Sequence, residues 1–270
     1  AYILLNYFIE EFYMKYILTR IKSIFLCIIN LLKYYLCFYF CLFITIFSQQ
    51  FIKFNDDFGF SVALILSTLC FILLLKIERK SPIKYLNIHK LEYNFSFFLI
   101  LIFSISLSLF CLNIGIIFEK FTSPDLYSNS KLYFWSLLHI IIIAPICEEI
   151  FFRGIIFTKL NTVLSLPIAL LIQGLLFGFM HGGLSGHLIQ SLIATISGII
   201  FALIYYYTAN LTIPTFIHIC YNTLIAIFNF FPFIFLINPF ILLFMSLLGF
   251  ILVFKLKRHL RLNIDHKIKH

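Results

Sequence analysis

Three short stretches of the chain hold ionisable and amide side chains inside otherwise apolar sequence. They are Glu148, Glu149 and Arg153 in APICEEIFFRG, His181 closing FGFMH, and His218 with Asn222 in HICYN. An ionisable group in an apolar helix costs a few kcal/mol on insertion scales, so each is a functional candidate by default. Spacing assigns partners. Residues four apart share a helical face, so Glu149 can pair with Arg153, and His218 and Asn222 project together. Glu148 is turned about 100° from Glu149 and is left for another group. A lone buried Glu and Arg pair serves packing at least as often as chemistry, and a lone interior histidine is more often satisfied than catalytic. A second carboxylate beside the pair, with two histidines and an amide, makes a constellation.

A carboxylate, two imidazoles and an amide in a water-poor pocket suit hydrolysis of an amide or ester. A desolvated glutamate is a better base toward water, a neighbouring histidine can share that water, and a second histidine with an asparagine can donate to the developing oxyanion. No nucleophile is convincingly placed: Ser185 and Ser197 lack a matched base, and Cys147 and Cys220 would point to other helix faces.

The elements that must carry these residues are membrane helices. The 270-residue chain is 62% hydrophobic and 11% charged, with mean hydropathy +1.05, more apolar surface than a water-soluble core can hide. Crossing a hydrocarbon core of roughly 30 Å takes about 20 helical residues. Eight stretches qualify: about 24–47, 58–75, 95–118, 132–157, 164–181, 187–207, 211–231 and 233–254. The first carries Lys33, which must snorkel or face other helices. The opening twenty residues mix Tyr, Phe and Ile with Glu10, Glu11, Lys15 and Arg20, which suits an interfacial amphipathic helix. No cleavable signal peptide is expected there.

Charge asymmetry sets the orientation. Lys76, Arg79, Lys80, Lys84 and Lys90 follow the second span, and Lys255, Lys257, Arg258, Arg261, Lys267 and Lys269 crowd the tail, so both are expected in the cytoplasm. Both termini then lie inside. The loops around Lys53, Asp56 and Asp57 and from Glu119 to Lys131 lie outside. The net charge of +9 is a topology signal. Nucleic-acid binding is not expected, since no basic stretch is interleaved with stacking aromatics. Cys27, Cys37, Cys41, Cys70, Cys111, Cys147 and Cys220 all fall in spans without paired metal spacing and read as packing residues. With no internal repeat, the chain reads as one helical unit.

Depth brings the polar residues together. A turn centred near Leu164 and Ser165 is equally far from Glu148 and His181, so in an antiparallel helix pair the two share a level, about 20 Å from the cytoplasmic turn. His218 lies eight residues past Asn210 in the next such turn and is expected somewhat shallower.

In this order, E-E-x-x-x-R, F-x-x-x-H and H-x-x-x-N on separate apolar spans resemble the CPBP intramembrane protease family. That family takes in CAAX prenyl proteases, bacteriocin-processing or immunity proteins, and Abi-type proteins. The likeness covers about residues 132–226, helped by SGIIFALIYYYTANLTIP ahead of His218. It implies an all-α polytopic membrane protein of about eight spans, with the site in a bundle of the fourth to seventh. The core at 132–226 would follow an interfacial helix and three spans at 1–131, and precede the last span and basic tail at 227–270. By the same resemblance Glu148 would activate water, His181 would hold it, His218 and Asn222 would form the oxyanion site, and Glu149 with Arg153 would support them.

No cofactor is favoured. Zinc on Glu148, His181 and His218 is the alternative, although no H-E-x-x-H is present. The expected partners are the lipid bilayer, of a bacterial cell membrane, and a membrane-associated, prenylated or leader-bearing peptide or protein. Ion- or proton-coupled transport and a non-catalytic immunity or scaffold role remain alternatives of other classes.

The charge reading has a direct check. Single cysteines placed near Lys80 and Lys257 should react only with reagent on the cytoplasmic side, and those near Asp57 and Asp125 only from the opposite side. An external Lys257 position would overturn the even number of spans.

Overall fold

The computed structural model describes residues 2–52, 55–89, 101–110, 134–183, 188–230, 240–241, 243–249 and 251, and every regular element among these is helical. Lys53, Lys90, Cys111, the 119–131 loop with Asp125, Ser185 and the basic tail lie outside the described residues.

Helix α1 runs from Tyr2 to Gln49 without interruption. Its 48 residues contain no glycine or proline, so nothing breaks the hydrogen-bond ladder. The amphipathic opening stretch is therefore continuous with the first apolar span. At helical rise α1 extends about 72 Å, more than twice the hydrocarbon core. Helix α2 (Asp56–Ile77) starts on Asn55, whose side-chain oxygen accepts from the N–H groups of Asp57 and Phe58, with Asp56 and Asp57 favourably placed in the first turn. A one-turn helix α3 (Pro82–Tyr85) and a short helix α4 (Leu101–Phe110) follow.

The next stretch alternates between α and π geometry: α5 (Phe134–Leu138), π1 (His139–Ile143), α6 (Ala144–Glu149), π2 (Ile150–Phe157) and α7 (Thr158–Val163). Pro145 has no N–H to give the preceding turn and sits where π1 gives way to α6. The chain then reverses at Leu164 and Ser165 into α8 (Leu166–Gly178) and π3 (Phe179–Gly183). Helices α9 (Leu188–Thr208) and α10 (Thr212–Phe230) complete the part that carries the polar residues.

Among the described residues three helices are long and apolar enough to cross a membrane: Tyr13–Gln49, Asp56–Ile77 and Leu188–Thr208. Leu101–Phe110, Leu166–Gly182 and Thr212–Ile227 are shorter apolar helices. The all-helical class thus stands, with three such spans rather than an established count of eight. The third and eighth expected spans fall partly outside the described residues, and the fourth is divided among the α and π segments.

Packing joins these helices in two ways. Helices α1, α2 and π2 meet through aromatic rings: Phe151 stacks on Phe71 at 4.9 Å and on Phe38 at 5.7 Å between centroids. Helices α8 and α9 meet through small residues. A Cβ on Gly178 would lie 2.4 Å from the Ser191 carbonyl oxygen, and one on Gly174 3.0 Å from that of Thr195. Close backbone approach of this kind needs the Gly-x-x-x-Gly spacing of 174 and 178.

At the end of α2, Glu78 gathers cations from three elements. It pairs with Lys33 of α1, with Lys80 at 2.9 Å and with Lys159 of α7 at 3.3 Å, and accepts from the Tyr34 hydroxyl at 3.0 Å. Lys33 thereby faces other helices. Burial raises the pKa of this carboxyl, but the hydrogen bonds from Lys33 and Lys80, the Lys159 charge and the Tyr34 hydroxyl outweigh it and bring it down to about 2.

A carboxyl held below its unfolded value of about 4.3 stabilises the fold fully above that pH and loses its contribution as pH falls toward about 2. Thermal unfolding in detergent should therefore show Glu78→Gln destabilised by roughly 1 to 3 kcal/mol at neutral pH, with the gap to wild type closing between about pH 4 and 2. A gap independent of pH would mean that the ion cluster does not clamp the helices.

Candidate active site

The centre of the site is the fully buried pair of Glu149, at the end of α6, and Arg153, one turn on in π2. Arg153 Nη1 lies 3.0 Å from Glu149 Oε1, and neither side chain is exposed. Arg153 Nη2 donates to the Gly198 carbonyl of α9 at 3.3 Å. Its guanidinium carbon sits 4.3 Å from the Phe177 ring centroid and 5.2 Å from that of Phe201. A planar cation between two aromatic faces keeps favourable electrostatics where water is excluded.

The same Glu149 oxygen also meets His218 Nδ1 at 2.9 Å. A carboxylate ion-paired with Arg153 only accepts, so the hydrogen of this bond belongs to the imidazole, which fixes the His218 ring and turns its Nε2 away from Glu149. The His181 Nδ1 lies 2.8 Å from the Phe177 carbonyl. A carbonyl only accepts, so Nδ1 carries the hydrogen there too.

Glu148 occupies the space between the two rings. Its Oε2 is 3.5 Å from His181 Nε2 and 3.9 Å from His218 Nε2. In the neutral tautomers both facing nitrogens are acceptors, so three acceptors converge on a gap that calls for a shared proton, a water or a cation. Asn222 donates from Nδ2 to the Ile140 carbonyl of π1 at 2.7 Å and keeps a second N–H.

All six residues singled out by spacing are thus joined by contacts or stand in the elements that meet here. Glu148 and His181 do lie at one level. His218 differs from expectation: it reaches the same carboxylate oxygen as His181 and is not separated as a shallower residue. The turn between α9 and α10 explains this. The Leu211 N–H donates to the Asn87 carbonyl at 3.0 Å, and Asn210 Oδ1 accepts from the N–H groups of His89 at 3.3 Å and Thr212 at 3.0 Å. Leu211 also comes close to Gly154, six residues after Glu148, so α10 begins well inside the level of the α7–α8 turn.

The link from Glu149 to His218 was not visible in the spacing, nor were the contributions of Phe177, Phe201 and Gly198. Phe177 opens FGFMH, and Gly198 and Phe201 lie in SGIIF, but apolar residues in apolar helices carry no signal of their own. Each π segment touches the site: π1 supplies the Ile140 carbonyl, π2 holds Arg153 and π3 holds His181. Such widened turns often mark functional positions.

The donor set fits zinc in its chemistry, since both histidines offer Nε2 while Nδ1 is held by an oxygen acceptor. Glu148 Oε2 lies 3.5 Å from one of these nitrogens and 3.9 Å from the other.

Together these features define a helical membrane protein with a buried, charge-compensated centre of carboxylates and histidines. Residues 130–224 match the family model described as type II CAAX prenyl endopeptidase Rce1-like, which shows for that part of the chain the likeness to CPBP proteases. The match supports a CAAX-type intramembrane protease family. No curated protein and no solved structure matches the chain.

Removing one partner of a buried ion pair strands the other. Glu149→Gln should lower unfolding stability in detergent by about 3 to 5 kcal/mol, and a Glu149→Leu, Arg153→Met double variant should recover much of that loss. Equal stability of Glu149→Gln and wild type would show that the pair does not hold the helices together.

Proposed function

We propose that the chain is an intramembrane endopeptidase that hydrolyses a peptide bond with water activated by Glu148. The observation that carries this reading is the position of Glu148 Oε2 opposite two Nε2 atoms whose rings are fixed from behind.

In the proposed reaction a water held between Glu148 and His181 gives a proton to Glu148 and adds its oxygen to the substrate carbonyl carbon. The carbonyl oxygen becomes an oxyanion. His218, protonated on both nitrogens and balanced by Glu149, donates Nε2–H to it, and the second N–H of Asn222 can donate as well. Glu148 then passes its proton to the amide nitrogen as the C–N bond breaks. In this proposed state the proton taken up in the gap makes His218 an imidazolium, and it and Arg153 match the charges of the two carboxylates.

Zinc, if bound, would be held by Glu148, His181 and His218 and would polarise the carbonyl and acidify water.

The substrate is a peptide presented at the membrane, with a prenyl group or a leader segment as its handle, processed in maturation of a peptide or bacteriocin or in immunity. The proposal includes eight spans with both termini in the cytoplasm of a bacterial cell.

The test uses purified full-length chain in proteoliposomes with a panel of prenylated and leader-bearing fluorogenic peptides. Glu148→Gln should abolish cleavage while keeping wild-type thermal stability. His218→Ala and Asn222→Ala should each lower turnover by about 100- to 1000-fold. Activity should survive exhaustive chelation, with far less than one equivalent of zinc in the protein. Cleavage by Glu148→Gln at the wild-type rate would reject the assignment, and stoichiometric zinc lost in His218→Ala would replace the glutamate mechanism by a metal one.

A further inference from the structure

Cys37 and Cys41 are four residues apart and share one face of α1, and Cys70 approaches them from α2. Their three sulfur atoms lie within 4.8 Å of one another, and all three thiols are free. The sequence concealed this cluster because the third member comes from another helix. Metal–thiolate bonds of about 2.3 Å in a trigonal plane would separate the sulfurs by about 4 Å, so this spacing needs only small side-chain adjustments.

We propose that Cys37, Cys41 and Cys70 form a trigonal thiolate site for copper(I), separate from the Glu148 centre. Soft thiolates select copper(I), zinc and iron–sulfur clusters. Structural zinc takes four ligands and the common iron–sulfur clusters take four cysteines. No fourth histidine, cysteine or carboxylate joins the three among the described residues. Copper(I), a closed-shell ion, is satisfied by three.

Charge points the same way. Binding releases one proton from each thiol, and the resulting copper tris-thiolate carries two negative charges. One turn before Cys37 on the same face stands Lys33, in the cluster where three lysines surround the single carboxylate of Glu78. That cluster has a surplus of two positive charges. Lys33 also lines, with Cys37 and Cys70, an open cleft of about 790 Å³ between α1 and α2, so the cation and two of the thiols face one space. Arsenite also takes three thiolates, but its product is neutral and makes no use of the lysines.

The experiment uses reduced full-length chain in detergent under anaerobic conditions, titrated with copper(I) against a chromophoric copper(I) chelator. One equivalent should bind, and X-ray absorption should find sulfur neighbours only, three per copper. Cys37→Ser, Cys41→Ser and Cys70→Ser should each weaken binding by at least about 100-fold, while Cys27→Ser, on the same helix but outside the cluster, should bind as wild type. Lys33→Met should weaken copper(I) binding and leave arsenite binding unchanged. Less than a tenth of an equivalent bound, nitrogen or oxygen in the copper shell, or equal loss in Cys27→Ser would overturn the site. The spectroscopic arm needs no variant, so a misfolded serine protein does not protect the proposal.

Discussion

One oxygen of Glu149 organises the polar interior. Oε1 receives Arg153 from the same helix and His218 from α10, and Arg153 in turn reaches the Gly198 carbonyl on α9. A carboxylate in a dry interior is tolerable only with compensating charge and donors, so three helical elements are obliged to stay in register around it. The orientation of His218 follows from that obligation, and so does the freedom of Glu148, which shares the peptide segment but points to the other side. The adjacent carboxylates therefore differ in office: one is consumed by the fold, and the other faces the gap between two imidazoles.

The second polar knot, at Glu78, works under other conditions. It lies just beyond the end of α2, where Lys33 and Lys80 are partly exposed and only Lys159 is buried, so the attraction is screened more than at Glu149. Its role is to tie α1 and α7 to α2 at one level, leaving the aromatic contacts among Phe38, Phe71 and Phe151 to fill the apolar depth.

The helical class and the membrane character were legible because composition alone demands them. The Glu149–Arg153 pairing was legible from four-residue spacing, and the common level of Glu148 and His181 from their equal distance to the turn at Leu164 and Ser165. Contacts that depend on where one hairpin sits against another were not. His218 reaches Glu148 because Asn87, Asn210 and Leu211 seat the α9–α10 turn deep, and no periodicity records a hydrogen bond between distant loops. The π segments were equally hidden, since a widened turn keeps the same apolar composition as the α-helix around it. Cys70 joins Cys37 and Cys41 by the mutual rotation of two helices, which a linear pattern does not encode.

The glycine contacts between α8 and α9 also limit how the pocket can open. Backbone atoms at Gly174 and Gly178 are already as near to α9 as side-chain-free packing permits, and Phe177 fills the face of Gly198. Two helices seated that closely cannot slide past each other in small steps, and parting them forfeits the whole seam at once. This pair is therefore a fixed wall beside Glu148, and any opening of the site has to come from the other side, where α2 and α10 pack on π1.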